Sequence, residues 1–229
     1  MIDDPPLIKL KRTTQRPTKA QLTALRGTPT GFVVDAMDGR GALAHTIKPV
    51  IPDQSDFCGV AVTCHAGPAD NLAVLAALPK LHPDDVLVCG TDAFMETAVV
   101  GDLVLQMAKN RGAVALVTDG CVRDTPGIRD VGLPCFAAGV TPNSPAKNGP
   151  GTVNMTVSLG SVPIAAGDIL VGDVDGVVVV PFAMIDQVIA RLEDVRAKEA
   201  EMLSAVNGGM GVPGHIDDLY DSGRVEEID

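Results

Sequence analysis

The chain has 229 residues, of which 46% are hydrophobic, and its 29 acidic and 18 basic residues give a formal net charge of −11. This length allows one large domain with a sizeable buried core. The acidic balance argues against nucleic acid as a direct partner. Aromatic residues make up only 3% of the chain and tryptophan is absent, which also argues against a surface on which bases stack.

No apolar run approaches the roughly 18 residues that a membrane span needs. The first residues, MIDDPPLIKLKR, lack the basic-then-apolar order of a signal peptide. We therefore expect a cytoplasmic protein without a membrane partner. The pattern predicts one domain over residues 1–229, with a core at about 29–181, a C-terminal helix at about 183–206 and a flexible tail at 207–229.

The N-terminal segment is predicted to be an arm followed by two short helices. Residues 1–16 are polar and contain prolines, which favours an arm outside the core. Thr18 is typical of an N-cap and predicts a helix that ends near Arg26. A second helix is predicted over residues 29–37.

Two apolar runs that follow, 47–51 and 57–64, flank a polar turn and predict paired strands. Gly67-Pro68 then breaks the chain before a helix that begins near Asp70. We expect the Asp70 side chain to cap this helix.

The middle of the chain predicts a βαβ unit. Residues 86–89 and 113–118 are buried strands, and residues 101–110 form the helix between them. The apolar face of this helix is predicted to comprise Leu103, Met107 and Ala108. A right-handed crossover leaves both strand ends on one edge, so the turn at Gly101 and the loop at Arg123 should be neighbours.

Residues that could bind an anion or a metal follow the second of these strands. Asp119-Gly120 is a turn signal, and Arg123 and Asp124 come directly after it. A guanidinium beside a carboxylate at the carboxyl end of a strand is a candidate site, whereas the alternative is a solvated loop pair. The helix that begins after Gly101 could hold a carboxylate with its free N–H groups.

Residues 125–131 predict a helical turn, and residues 133–137 predict a strand. The segment 141–151 is rich in Pro, Gly and Asn and should be irregular, with Lys147 facing solvent. The alternation in residues 152–159 predicts one half-buried strand.

Two further strands, 169–171 and 177–180, are separated by an acidic turn that lacks the closing glutamate of a calcium loop. A long helix follows Pro181 and carries one apolar stripe, made of Ile185, Val188, Ile189, Leu192 and Val195. Residues 209–214 spell G-x-G-x-x-G, but they follow a helix instead of a strand, so they do not predict a dinucleotide site.

The chain has five cysteines and four histidines. The cysteines are odd in number and have no C-x-x-C spacing, and most lie in apolar runs, where cysteine acts as a small hydrophobic residue. Cys121 is close to Arg123, which could lower its pKa, but we favour a structural role for it. The histidines have no metal-ligand spacing, so a zinc site is not expected.

Three motifs in combination resemble the RraA-like family: Gly101-Asp102-Leu103, Asp119-Gly120-x-Val122-Arg123-Asp124 and Gly172-x-x-x-Gly176 followed by Val177 to Pro181. This family contains divalent-metal 4-hydroxy-4-methyl-2-oxoglutarate aldolases and regulators of RNase E activity. The resemblance implies an α/β fold, a three-layer sandwich of two sheets and helices like the swivelling phosphohistidine domains. It also implies a trimer or hexamer with sites between subunits.

The resemblance implies a site that binds Mg²⁺ or Mn²⁺. Asp124 is the expected direct ligand, and Asp102 and Glu199 are expected to hold metal-bound waters. Glu199 is expected to come from a neighbouring subunit, with Glu201 as the second candidate. Arg123 is expected to bind a 2-oxo acid substrate.

The substrate carboxylate is expected to bind the N–H groups at the start of the helix, around Gly101, Leu103 and Val104. Cleavage of a carbon-carbon bond beside a 2-oxo acid needs an electron sink, which is either a lysine Schiff base or a metal. No lysine is predicted beside the Arg123 loop, which favours the metal. Arg123 and Asp102 are the expected catalytic residues, and the same sink would also decarboxylate oxaloacetate.

The alternative is a regulator without catalytic activity that binds a protein partner such as RNase E. In that branch the residue after the arginine is typically not aspartate, and the C-terminal helix with its glutamate tends to be missing. Asp124 and the long helix therefore favour the enzyme. The segment 89–100 departs from the family pattern, which leaves the identity of the substrate open.

Overall fold

The computed structural model describes residues 6–228. The helices are α1 (Lys19–Leu25), α2 (Thr30–Ala36), α3 (Leu72–Ala77), α4 (Asp102–Asn110), α5 (Thr125–Val131), α6 (Ile185–Asn207) and α7 (Gly214–Asp221). The strands are β1 (Ile8–Leu10), β2 (Lys48–Pro49), β3 (Phe57–His65), β4 (Asp85–Gly90), β5 (Ala98–Val100), β6 (Ala113–Thr118), β7 (Cys121–Val122), β8 (Cys135–Ala137), β9 (Gly139–Val140), β10 (Gly151–Val153), β11 (Val157–Leu159), β12 (Val162–Ile164), β13 (Ile169–Asp173) and β14 (Gly176–Val180). This alternation of strands and helices confirms the predicted α/β class.

The main sheet has nine strands in the order β1-β10-β3-β4-β6-β8-β2, and β13 also pairs with β3 and leads into β14. Its centre, β3-β4-β6-β8, is parallel. A second, three-stranded parallel sheet has the order β5-β7-β9, and β11 and β12 form an antiparallel pair. The predicted βαβ unit is confirmed, since β4 and β6 are parallel neighbours and α4 lies between them in the chain.

Side chains from both faces of the central strands are buried. On β4, Leu87 packs in one core cluster with residues of α3, α4 and α5, and Val86 and Val88 pack in another with residues of β11 to β14. Parallel strands that are covered on both faces read as continuous apolar runs, which explains the sequence pattern. A third cluster joins α1, α2 and α6 to β13 and β14, and the predicted stripe of α6 lies in it or packs against it.

Two predictions about the strands are wrong, one about pairing and one about length. β2 does not pair with β3 but with β8, since β3 is already flanked by β4 on one side and by β10 and β13 on the other. The predicted strand 152–159 is two strands, β10 and β11, which belong to different sheets. Asn154 adopts a left-handed conformation, with φ of 60°, and so breaks the extended chain between them.

The predicted N-terminal arm is joined to the sheet within the described residues. β1 pairs in parallel with β10, and Arg16 Nη2 lies 2.7 Å from Oδ1 of the fully buried Asp85. The segment expected to be a flexible tail contains α7, which has no buried residue. The glycine-rich segment 209–214 lies between α6 and the start of α7, with no strand before it.

The predicted apolar face of α4 is confirmed for Ala108 and wrong for Leu103 and Met107. Leu105 and Ala108 are the buried residues, whereas Leu103 is 72% exposed and Met107 is 48% exposed. Leu105 and Ala108 lie three residues apart and face the core, which turns Leu103 and Met107 outward.

Within residues 6–228, no helix combines the length and the apolar character that a membrane span needs.

Candidate active site

The turn at Gly101 and the loop at Arg123 are neighbours, as predicted. They follow β5 and β7, which pair in parallel in the small sheet with Ala98 opposite Cys121. The backbone N–H of Arg123 donates to the carbonyl of Val100 at 3.0 Å and continues this pairing. The two strands that place the site are therefore β5 and β7, which the sequence analysis did not identify, instead of β4 and β6.

Gly101 allows the two loops to approach closely. A Cβ atom built on Gly101 would overlap Oδ2 of Asp124 and lie 3.1 Å from Cγ of Arg123. Glycine at this position lets the Asp124 and Arg123 side chains lie directly against the start of α4. The α4 amino terminus and the Arg123-Asp124 pair consequently share one wall of the site.

Arg123 and Asp124 form an ion pair, with Nε of Arg123 3.3 Å from Oδ2 of Asp124. Nη1 of Arg123 also donates to the hydroxyl of Ser144. Asp124 is the N-cap of α5 and has a left-handed backbone, with φ of 61°. A non-glycine residue in this conformation costs about 1 kcal/mol or more, and such strain is common at functional sites.

Asp102 begins α4 and lies between α4 and α5. Its Oδ1 accepts a hydrogen bond of 2.7 Å from the backbone N–H of Leu103. A Cβ atom on Gly127 would overlap Oδ2 of Asp102 and lie 2.7 Å from Asp102 Cβ. The N–H of Leu103, one of the expected anion-binding groups, is thus already bound to Asp102. The first intrahelical bond of α4 is donated by the N–H of Leu105, so the N–H of Val104 comes before it.

The site lies in a cleft of about 370 Å³, lined by Val100 to Val104 and Met107, by Arg123 and Asp124, and by residues of two further segments. One segment is the start of α3, with Asn71 and Leu75. The other is the irregular loop that contains Ser144, Pro145 and Lys147. Lys147 is exposed, as expected, but it lines the cleft and adds a second cation to Arg123.

Asp70 fixes the loop against α3. The N-cap of α3 is Asn71 instead of the predicted Asp70. Oδ1 of Asp70 accepts a hydrogen bond of 2.8 Å from the N–H of Leu72, and its Oδ2 accepts one of 3.1 Å from the N–H of Gly149. The N–H of Asn71 donates to the carbonyl of Ala146 at 3.0 Å. Asn71 and Lys147 are therefore held in one unit of the cleft wall. The sequence analysis assigned no role to Asn71.

Cys121 does not form a reactive site. The residue is 3% exposed, and burial raises the pKa of its thiol from the ordinary value. Its Sγ donates to the carbonyl of Met95 at 3.3 Å. The protonated thiol at neutral pH is consistent with the structural role that we favoured.

The cleft brings together Arg123, Asp102, Asp124 and the start of α4. It does not include Glu199 or Glu201, which are exposed on α6. Within residues 6–228, no group of three or more His, Cys, Asp or Glu side chains is arranged to hold a metal ion. One chain thus supplies two carboxylates to the cleft.

The fold and this cleft define an α/β protein in which two cationic and two acidic side chains meet in a cleft at the ends of two parallel strands. A family model described as RraA-like, aldolase/RraA, matches residues 30–179. The chain belongs to the RraA-like family.

Three known proteins illustrate the relationship. A Halalkalibacterium halodurans protein named "Putative 4-hydroxy-4-methyl-2-oxoglutarate aldolase" is 36% identical over 186 residues, which cover 81% of this chain and 88% of that protein. The structure of the RNA-processing inhibitor RraA from Thermus thermophilus is 27% identical, with a TM-score of 0.62, and the match covers 67% of this chain and 93% of that one. Streptomyces coelicolor RraAS2, described as an unusual member of the RNase ES inhibitor RraA family, is 25% identical with a TM-score of 0.73, over 84% of this chain and 100% of that one.

Proposed function

We propose that this protein is a divalent-metal aldolase that cleaves a 4-hydroxy-2-oxo acid, such as 4-hydroxy-4-methyl-2-oxoglutarate, and releases pyruvate. The proposal rests on one observation: Arg123, Asp124 and Asp102 lie together in one cleft at the amino terminus of α4. The name of the Halalkalibacterium relative supports the same chemistry.

The carboxylates fit a hard cation such as Mg²⁺ or Mn²⁺, which prefers oxygen ligands and keeps several waters. The Asp124 side chain is 47% exposed in the cleft and would be the direct ligand. Asp102 is fixed by its bond from Leu103 and would hold a metal-bound water. When bound, the cation would supply an electrophile for the 2-oxo group of the substrate.

The cleft also contains Lys147, so the absence of a lysine beside the Arg123 loop, inferred from sequence, does not hold in the folded chain. A lysine that forms a Schiff base is usually desolvated, which frees the neutral amine. Lys147 is exposed. Its exposure favours the metal route and a role for Lys147 in attracting an anionic substrate.

In the proposed reaction, the C4 hydroxyl gives its proton to a water molecule held by Asp102, which can return it later at C3, the C3–C4 bond breaks and C4 becomes a carbonyl. The electron pair of the broken bond passes to the pyruvate fragment as its enolate, which then takes a proton at C3. Arg123 stabilises the developing negative charge on the oxo oxygen, and the free N–H groups at the start of α4, such as that of Val104, bind the C1 carboxylate. The same enolate would form from oxaloacetate by loss of carbon dioxide.

We further propose that the active form is a homo-oligomer, a trimer or hexamer, in which Glu199 of one subunit completes the site of the next, with Glu201 as the second candidate. The last turns of α6 support this, because Met202, Leu203 and Val206 are 48%, 60% and 49% exposed. At the cleft rim, Leu103 and Met107 are exposed as well. Apolar side chains on both surfaces suit a contact between copies of the chain.

The regulator function is the second candidate, since the chain is 27% identical to the RNA-processing inhibitor RraA. That match covers 67% of this chain. The pair of carboxylates beside Arg123 suits a hard cation, so we favour the enzyme.

The test is pyruvate release from 4-hydroxy-4-methyl-2-oxoglutarate and from oxaloacetate, with added Mg²⁺ or Mn²⁺ and with a chelator. We expect release that the chelator abolishes and renewed metal restores. Release that persists in chelator, together with borohydride trapping of pyruvate on Lys147, would contradict the metal route. Absence of release from both compounds by folded protein would favour the regulator.

A further inference from the structure

Asn71 is an unusual residue in the wall of the cleft. The residue is 5% exposed and lines the cleft, and its Oδ1 atom is buried without a hydrogen-bond donor. Leaving a buried amide oxygen unpaired costs about 1 to 3 kcal/mol. Buried polar side chains are normally paired, so an unpaired one in a binding cleft indicates a partner that arrives with the ligand.

Two other side chains in residues 6–228 have a buried amide oxygen without a donor, Gln54 and Asn154. In both, the amide nitrogen donates to a backbone carbonyl. Gln54 donates to the carbonyl of Arg129, and Asn154 donates to the carbonyl of Lys11. Neither residue lines the cleft. The Asn71 amide has no comparable bond within the described part of the chain, although its backbone is firmly held by Ala146.

We propose that the Asn71 amide binds the C4 hydroxyl of the substrate. The amide nitrogen of Asn71 has no acceptor within residues 6–228 and is not among the buried atoms, so it can donate to the oxygen of the C4 hydroxyl, the neutral O–H group of a 4-hydroxy-2-oxo acid. This bond leaves the hydroxyl proton free to pass to a base. This assignment rests on the proposed aldolase function and adds a residue that selects for the hydroxyl. Asn71 is a substrate-binding residue that orients the O–H bond from which the proton leaves.

The hydroxyl is absent from pyruvate, which provides a control reaction in the same cleft. An aldolase that forms the pyruvate enolate also exchanges the methyl protons of pyruvate with deuterium in D₂O. This exchange uses the electron sink and Arg123, but it uses no C4 hydroxyl. Loss of the Asn71 amide should therefore separate the two reactions.

The experiment compares wild type with Asn71→Leu, in the presence of Mg²⁺, by pyruvate release from 4-hydroxy-4-methyl-2-oxoglutarate and by deuterium exchange into pyruvate. We expect Asn71→Leu to slow cleavage about tenfold or more and to leave exchange within about twofold of wild type. Its melting temperature should be unchanged or higher, because an apolar side chain of similar shape removes an unpaired polar atom.

The matched control is Gln54→Leu, which removes another amide with an unpaired oxygen outside the cleft and should leave both reactions unchanged. Asn71→Ala serves as a second variant in case the branched leucine disturbs the wall. Equal loss of cleavage and exchange in both Asn71 variants, or no loss of cleavage in either, would overturn the assignment. Wild-type protein without cleavage or exchange would contradict the aldolase function itself, and the role of Asn71 would fall with it.

Discussion

At the residue scale, the site depends on carboxylates that are placed by glycines. Asp124 lies against Gly101, and Asp102 lies against Gly127 in α5. The sequence indicated Arg123 and Asp124 because a charged pair after a strand is a local signal, whereas the role of Asp102 came from the resemblance to the RraA-like family. Sequence analysis missed Asn71, since an unpaired buried oxygen is a property of the folded chain that no local pattern encodes.

We expect Gly127→Ala to be destabilising although alanine favours helices. The new Cβ would overlap the Asp102 carboxylate and force α4 and α5 apart, at a cost of about 1 to 3 kcal/mol. Gly31→Ala in α2 is the matched control, because nothing lies within 4 Å of its Cβ and helix propensity should stabilise it by up to about 1 kcal/mol. Urea unfolding and pyruvate release measure both effects. A Gly127→Ala protein with wild-type activity would show that Asp102 does not need its observed position.

The cysteines should be unreactive in the folded protein. All five are free and buried, and burial raises the pKa of Cys58 and of Cys135 to about 12. Because the thiolate is the reactive form, a thiol with a raised pKa stays protonated until the pH approaches that value. We expect almost no rapid labelling by a thiol reagent at pH 8, and labelling of five thiols in denaturant. A fast-reacting thiol in the native protein would contradict the burial of Cys121 in particular.

Among the elements, the short strands β5 and β7 place the Gly101 turn beside the Arg123 loop, and neither strand was predictable from sequence. They contain three and two residues, and parallel pairing between distant segments leaves no local pattern. The long strands β4 and β6 and the helices α4 and α6 were predicted, since their apolar runs or their helical periodicity extend over enough residues. The outward face of α4 was misjudged, because the exposed Leu103 and Met107 follow the same apolar pattern as core residues.

The first half of the helix α6 packs against the core, whereas its second half is exposed. The exposed half can therefore be removed to test its role. No described residue after Leu192 is buried, and Arg196 Nη2 donates to the Thr28 hydroxyl at 2.8 Å. A chain that ends at Lys198 keeps the buried half of α6 but loses Glu199, Glu201 and the apolar side chains of the proposed subunit contact, so cleavage activity should fall about tenfold or more. A chain that ends at Asn207 removes only α7 and its flanks and should keep full activity. Equal activity of the two truncated chains would exclude a role for the glutamates.

In the whole molecule, one chain places two carboxylates, those of Asp102 and Asp124, in the cleft and leaves the end of α6 exposed. The sequence indicated the α/β class and the family motifs, whereas contacts between copies depend on surfaces that a sequence pattern does not show. Subunit sharing has a direct test in mixed oligomers. Asp124→Ala and Glu199→Ala proteins should each be inactive alone.

When these two proteins are unfolded together and refolded as a mixture, neighbouring subunits can combine an intact Asp124 with an intact Glu199. If assembly is random in a closed ring, about a quarter of the sites should be complete, and about a quarter of the wild-type activity should return. No recovery, in oligomers shown to be mixed, would mean that Glu199 does not act across a subunit boundary.

If Asp124 is the metal-binding carboxylate of an aldolase, its removal should abolish metal-dependent cleavage. Pyruvate release from 4-hydroxy-4-methyl-2-oxoglutarate is followed at saturating Mg²⁺ for wild type, Asp124→Ala and Asp130→Ala, which removes an exposed carboxylate from the same helix. We expect metal-dependent release by wild type and Asp130→Ala, and none above background by Asp124→Ala. Release by folded Asp124→Ala at a rate close to that of the Asp130→Ala control would contradict the claim.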